Sequence, residues 1–161
     1  MLAAERIFRV LNEHEVDYVV IGALAATMHG SPLRTDDVDV CPRSSEDNLT
    51  RLAAALRALD AEEHDPRRGE LVARAWDAAT LATDSTWILG TAAGRLDLVF
   101  RPDGTAGYED LARGAVELAV DDVTLLVASL EDVIRSKEAA GRAKDRAQLP
   151  TLRRLLDLKR D

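Results

Sequence analysis

The sequence predicts an α/β (α+β) protein: a small mixed β-sheet flanked by helices, with a C-terminal helical segment. Three observations carry this. VDYVVIG, residues 16–22, is β-branched and aromatic, nearly all apolar, and stops at a glycine, as a strand covered on both faces does. Residues 45–59 place Leu49, Leu52, Ala53, Leu56 and Leu59 on one stripe, the pattern of an amphipathic helix. STWILGT and RLDLVF, residues 85–91 and 95–100, flank Ala92-Ala93-Gly94 and read as a hairpin.

In chain order, Leu2, Ile7, Val10 and Leu11 give a first helix over residues 2–14. The central strand 16–22 follows, then a short helix over 23–30 that ends at Gly30, with a turn at Ser31-Pro32. DDVDV, residues 36–40, alternates acid with valine as a second strand that Pro42 ends. Ser44 or Ser45 caps the amphipathic helix. HDPRRGE, residues 64–70, reads as a charged surface loop, and the stretch from there to Ser85 has no decisive periodicity. After the hairpin, GYEDLARGA forms one short helix, and VELAV and VTLLVA pair around Asp121-Asp122. Ser129, with Asp132 three residues on, opens a helix to about Ala140. Gly141 breaks it, and a last helix runs to the end with a kink or restart at Pro150.

A chain of 161 residues buries about 70% of its unfolded surface and needs no staple. One cysteine, Cys41, excludes an internal disulfide and any thiolate cluster, in keeping with a reducing cytoplasm. The first 15 residues carry Glu5, Arg6 and Arg9 and have no continuous apolar run, so no secretory leader is expected. No stretch approaches the ~20 apolar residues of a membrane span. A soluble, cytoplasmic protein without a membrane partner is the expectation. The net charge of −8 argues against a phosphate ligand until it is divided along the chain. Residues 1–134 hold 12 basic and 25 acidic side chains, whereas residues 135–161 hold 9 basic and 4 acidic. An acidic body suited to divalent cations joined to a basic tail suited to phosphates accounts for both parts; so does a solvated acidic surface with an ordinary Arg-rich helix.

Chemistry concentrates in three carboxylates. Strand alternation sends Asp37 and Asp39 to one face and Val38 and Val40 to the other. In RLDLVF it sends Leu96, Leu98 and Phe100 into a core and Asp97 with Arg95 to the opposite side. If the two strands are neighbours, three acids converge, raise one another's pKa and gain from a cation. Oxygen-only donors suit Mg²⁺ or Mn²⁺, and a pair of such ions clamps attacking and leaving oxygens in phosphoryl chemistry.

The order of parts is more specific than the acids alone. VVIGALAATMHGSPLRTDDVDV followed by GRLDLVF resembles the DNA polymerase β-like nucleotidyltransferase superfamily, within it the minimal prokaryotic nucleotidyltransferases. SLEDVIRSKEAAGRAKDRAQL resembles the C-terminal segment of abortive-infection and toxin–antitoxin relatives. The resemblance covers most of the chain and is weakest over residues 60–85. It implies the nucleotidyltransferase fold, a single catalytic domain over residues 1–161 (an α/β core over 1–128 and the helical segment over 129–161), and transfer of an NMP from an NTP to an acceptor hydroxyl. The acceptor would be an RNA 3′ end or a protein side chain, and a cognate antitoxin protein a partner. A catalytically silent nucleotide-binding or partner-regulated module and an antibiotic nucleotidyltransferase are the alternatives. By the same resemblance Asp37 and Asp39 hold two Mg²⁺ (or Mn²⁺) ions on the triphosphate, and Asp97 ligates one of them and helps deprotonate the acceptor. The loop at Gly22 lies on the phosphates. Where relatives often have Gly-Gly or Gly-Ser, this chain has Gly22-Ala23, so Ser31 or Arg34 is expected to supply the missing contact.

Leu130, Val133, Ile134 and Lys137 follow the i, i+3, i+4, i+7 pattern, which places a lysine on an apolar stripe. Its ammonium either snorkels out or meets phosphate. Arg142 and Lys144 are further phosphate candidates or solvated surface. Asp145 is expected to pair locally with Lys144, Arg142 or a helix N-terminus, without chemistry. His29 either touches the nucleotide or is structural. Trp76 and Trp87 read as core or pocket wall ahead of a base-stacking platform, and no P-loop or Ser-His-Asp arrangement is present.

Overall fold

The computed structural model describes residues 2–161; Met1, the first residue of the expected domain, lies outside the described residues. The described residues form seven helices and eight strands. The first half runs α1 (Ala4–Glu13), β1 (Tyr18–Ile21), α2 (Gly22–Met28), β2 (Asp37–Pro42), α3 (Glu46–Ala58), β3 (Glu62–Asp65), β4 (Glu70–Ala73) and α4 (Ala78–Leu81). The second runs β5 (Thr86–Thr91), β6 (Gly94–Val99), α5 (Tyr108–Gly114), β7 (Val116–Val120), β8 (Val123–Val127), α6 (Leu130–Ala140) and α7 (Ala143–Arg160). The strands form one mixed sheet in the order β4-β3-β5-β6-β2-β1-β8-β7. β2 lies parallel to β6 and β1 parallel to β8, while the remaining neighbours are antiparallel.

All four residues of β1 are buried, as its unbroken apolar text requires, and it lies between β2 and β8. In β2 the alternation holds: Val38 and Val40 are fully buried, whereas Asp37 and Asp39 face the other way and keep partial exposure. Leu96 and Leu98 do the same on β6. One core takes in these residues with Phe8 and Leu11 of α1 and Leu52 and Leu56 of α3. Phe100, expected inside it, is only partly buried because β6 ends at Val99 and the chain turns away toward Pro102. Trp76 and Trp87 meet edge to face at 5.5 Å, and their indole N–H groups donate to Ala61 O and Leu81 O. They are core residues and no stacking platform.

Helix ends follow local chemistry. Ser45 caps α3 by accepting from Asn48 N, and Ser129 caps α6 by accepting from Asp132 N. Gly141 closes α6 in the left-handed conformation, at φ 62°. Two expectations are corrected. The charged loop expected over residues 64–70 is shorter: residues 66–69 form an exposed turn, and His64, Asp65 and Glu70 belong to β3 and β4, which form an antiparallel hairpin on the sheet's outer end. Pro150 does not restart the helix: α7 is continuous through it, between the buried Leu149 and Leu152. No described helix is long and apolar enough to cross a membrane.

Candidate active site

The register of β2 against β6 pairs Asp37 with Arg95 and Asp39 with Asp97, so alternation on two adjacent parallel strands brings three acids to one face. One carboxylate oxygen from each of Asp37, Asp39 and Asp97 lies within 4.8 Å of the others. Asp97 is 9% exposed. Burial, together with the charges of Asp37 and Asp97, pushes the Asp39 carboxyl up to about 7. Thr35 donates its hydroxyl to Asp37 Oδ1 at 3.0 Å, which orients that carboxylate. Arg95 donates from Nε and Nη2 to the two oxygens of Asp97, each at 3.0 Å. Its Nε also lies 3.5 Å from Asp37 Oδ2. These donors are all oxygen and all hard, so the set fits Mg²⁺ or Mn²⁺, and the repulsion stored in Asp39 is what such a cation relieves.

The acids form one wall of a cleft of 760 Å³. Gly22 and Ala23 line it at the start of α2, and Lys137 of α6, Arg142 at the N-cap of α7 and Lys144 of α7 line the same cleft. Gly22 has φ +69°, and a Cβ there would overlap Asp39 Oδ2. Glycine is required at this point because the α2 backbone passes directly over a carboxylate. Arg34 lines the cleft and is exposed. Ser31 does not reach it. That hydroxyl is buried and accepts from Leu33 N at 3.2 Å inside its own turn. His29 is structural: its Nε2 lies 2.8 Å from Ala128 O.

Lys137 is 9% exposed, and it neither snorkels nor stands free. Its Nζ donates to Gln148 Oε1 at 2.8 Å and lies 3.7 Å from Asp145 Oδ1. Burial lowers the ammonium's pKa from its ordinary value, and Asp145 partly offsets this. Asp145 is fully buried and takes Arg142 Nε at 2.7 Å and the Arg142 backbone N–H at 3.2 Å. Burial acts to raise its pKa, but the Arg142 hydrogen bond and the two nearby cations outweigh it and hold the carboxyl low. The expected pairing of Asp145 with Arg142 is present. Sequence reasoning missed its partnership with Lys137, which makes it the anchor of the cationic wall. The available signal was an acid three residues after Arg142 in a segment otherwise dominated by bases. Cys41, fully buried on β2, has its thiol pushed up to about 12 by burial and takes no part.

No family model and no curated protein matches the sequence. Solved structures do match the fold. A Thermotoga maritima protein assigned as a nucleotidyltransferase aligns over 98% of this chain and 96% of its own, with a TM-score of 0.59 and 16% identity. The lincosamide antibiotic adenylyltransferase LnuA, solved with lincomycin, aligns over 96% of this chain and 98% of its own, with a TM-score of 0.59 and 13% identity. ANT(2″)-Ia, solved with adenylyl-2″-tobramycin, aligns over 97% and 88%, with a TM-score of 0.61 and 13% identity. The chain has the nucleotidyltransferase fold.

Proposed function

We propose that this protein transfers a nucleoside monophosphate from an NTP to an acceptor hydroxyl, with Mg²⁺ or Mn²⁺ as cofactor and pyrophosphate as the leaving group. The observation that carries the reading is that one cleft is lined both by the cluster of Asp37, Asp39 and Asp97 and by the cations Lys137, Arg142 and Lys144. Divalent ions held by the three carboxylates would supply Lewis-acid neutralisation of the triphosphate and acidify the acceptor hydroxyl. In the reaction the acceptor oxygen forms a bond to the α-phosphorus, the bond to the β-phosphate bridging oxygen breaks, and the hydroxyl proton is taken up at Asp97. Gly22 and Ala23 let the backbone come close to the phosphates, and Arg34 stands at the same cleft in place of the hydroxyl that Ala23 lacks. Lys137 and Arg142, fixed by Asp145, offer charge to the triphosphate within the same cleft.

The acceptor we propose is an RNA 3′ end or a protein side chain, with the protein acting in the cytoplasm as the toxin of a toxin–antitoxin pair and a cognate antitoxin as its partner. The support is the resemblance of residues 129–149 to abortive-infection relatives. Residues 1–161 would serve as one nucleotidyltransferase domain, with 129–161 closing the cleft. A second reading, an antibiotic hydroxyl as acceptor, is favoured by the fold likeness to LnuA and ANT(2″)-Ia. The test offers the protein α-labelled and γ-labelled ATP, CTP, GTP and UTP in Mg²⁺ with total RNA, purified protein extract, lincomycin or tobramycin. Label arriving on an acceptor from the α position and never from the γ position is the expected result. Arrival from the γ position contradicts nucleotidyl transfer, and no arrival on any acceptor favours the silent module.

A further inference from the structure

We propose that Arg95 is an internal counter-ion that competes with the divalent cation for Asp97 and Asp37, so that the site loads metal only as the guanidinium leaves. The inference rests on the reading of Asp37, Asp39 and Asp97 as metal ligands. Its independent basis is where β6 places Arg95. Two residues before Asp97 on the same strand, and opposite Asp37 in the register with β2, it shares the acids' face of the sheet. Its fork engages both oxygens of Asp97 at 3.0 Å and lies 3.5 Å from Asp37 Oδ2. One lone-pair site on each Asp97 oxygen is therefore taken by an N–H group, and an ion binding either oxygen does so against the guanidinium seated there. A dication and a guanidinium on the same oxygens also repel each other.

Leaving is feasible. The Arg95 side chain is 52% exposed, so the released guanidinium is rehydrated at once and does not stay buried and unpaired. Asp97 is far less exposed, at 13% for its side chain, so something must replace the charge it loses. A metal ion does so. An acidic triad without any cation would repel itself, and Arg95 keeps it assembled until the ion arrives. Loading is thus an exchange of cations, and free metal binds more weakly than three convergent carboxylates alone would allow.

Titration calorimetry with MnCl₂ and no nucleotide tests this, on the wild type, Arg95→Met, Arg95→Lys, Arg153→Met and the Asp37→Asn/Asp39→Asn double variant. Arg95→Met should bind Mn²⁺ on the order of tenfold to a hundredfold more tightly, the size of one bidentate charge-assisted pair. Arg95→Lys, which keeps the charge without the fork, should fall between Arg95→Met and the wild type. Arg153→Met, whose partner is Glu138 on the helical segment, should match the wild type, and the double variant should lose the binding. In EDTA, Arg95→Met should melt below the wild type and gain more than it on adding Mn²⁺. Equal or weaker Mn²⁺ affinity in Arg95→Met, with binding still abolished by the double variant, overturns the counter-ion role and leaves the metal site standing. Mn²⁺ binding that survives the double variant, or that no chain displays, contradicts the site itself. Should Arg95→Met fail to fold in EDTA, the order of Arg95→Lys against the wild type decides.

Discussion

Gly22 is fixed by two constraints at once: a backbone at φ +69° and an Asp39 oxygen occupying the space a Cβ would need. Gly22→Ala should therefore cost about 1–2 kcal/mol of stability from the left-handed conformation. It should also push Asp39 aside, and an ångström of misplacement at a reacting centre is worth about a hundredfold in rate. Melting curves beside Mg²⁺-dependent label transfer check this, and unimpaired transfer by Gly22→Ala contradicts it. Asp145 supports a different kind of prediction. Its carboxyl is held below the usual value of about 3.9, so its contribution to stability is complete above that value and disappears as pH falls through the lower, folded-state value. Asp145→Asn should lose about 1.5–3 kcal/mol at neutral pH. The gap between wild type and variant should hold down to about pH 5 and close below about pH 4. Urea titrations across that range measure it, and a gap that is absent at neutral pH, or that persists undiminished at pH 3, rejects the ion-pair role. The three site acids were legible because strand alternation needs only sequence. Asp145 was legible as a local partner of Arg142 and illegible as a partner of Lys137, since that contact spans the break at Gly141 and depends on how α7 folds back on α6.

Placement of β2 depends on a buried side chain that no periodicity announces. Asn48 on α3 is fully buried; its Oδ1 accepts from Asp17 N at 2.7 Å, and its Nδ2 donates to Asp17 O at 2.9 Å and Arg43 O at 2.7 Å. It ties the entry to β1 to the exit from β2, on the strand that carries Asp37 and Asp39. Asn48→Ala takes the side-chain partner from Asp17 N and Arg43 O, while Asp17 O keeps the Arg43 N–H, and should cost about 2–4 kcal/mol, read as a lower urea midpoint with an unchanged slope. A loss within about 0.5 kcal/mol, the range of an ordinary surface substitution, rules the clamp out. Elements with strong texture could be read in advance: the apolar β1, the striped α3, the hairpin of β5 and β6, and α6 with its Ser129 cap. β3 and β4 could not, because they form the outer end of the sheet, and EEHD and ELVA are at most half-buried, so neither strand shows an alternation of buried and exposed positions. Their pairing is with each other and with β5 through the backbone, which leaves little trace in side-chain pattern. The restart weighed at Pro150 is absent for a related reason: propensity marks a break there, and the packing of Leu149 and Leu152 carries the helix past it.

Both parts of the chain's divided charge reach one cleft. The acidic body contributes Asp37, Asp39 and Asp97 to its lining, and the basic C-terminal segment contributes Lys137, Arg142 and Lys144. The net charge of −8 hides this, because a total carries no information about which surfaces meet. The division was visible along the sequence; that its two parts line one cleft was not, since that depends on α6 packing against α2 and α7 against α6. If the three acids make nucleotidyl transfer possible, removing two of them abolishes it. The direct test compares label transfer from an α-labelled NTP in Mg²⁺ by the wild type and by Asp37→Asn/Asp39→Asn, with melting curves recorded on both. Removing like charges from a crowded cluster excavates no core, so the double variant should melt at or above the wild type in EDTA while its transfer is lost. A folded double variant that transfers label at the wild-type rate in Mg²⁺ contradicts the account.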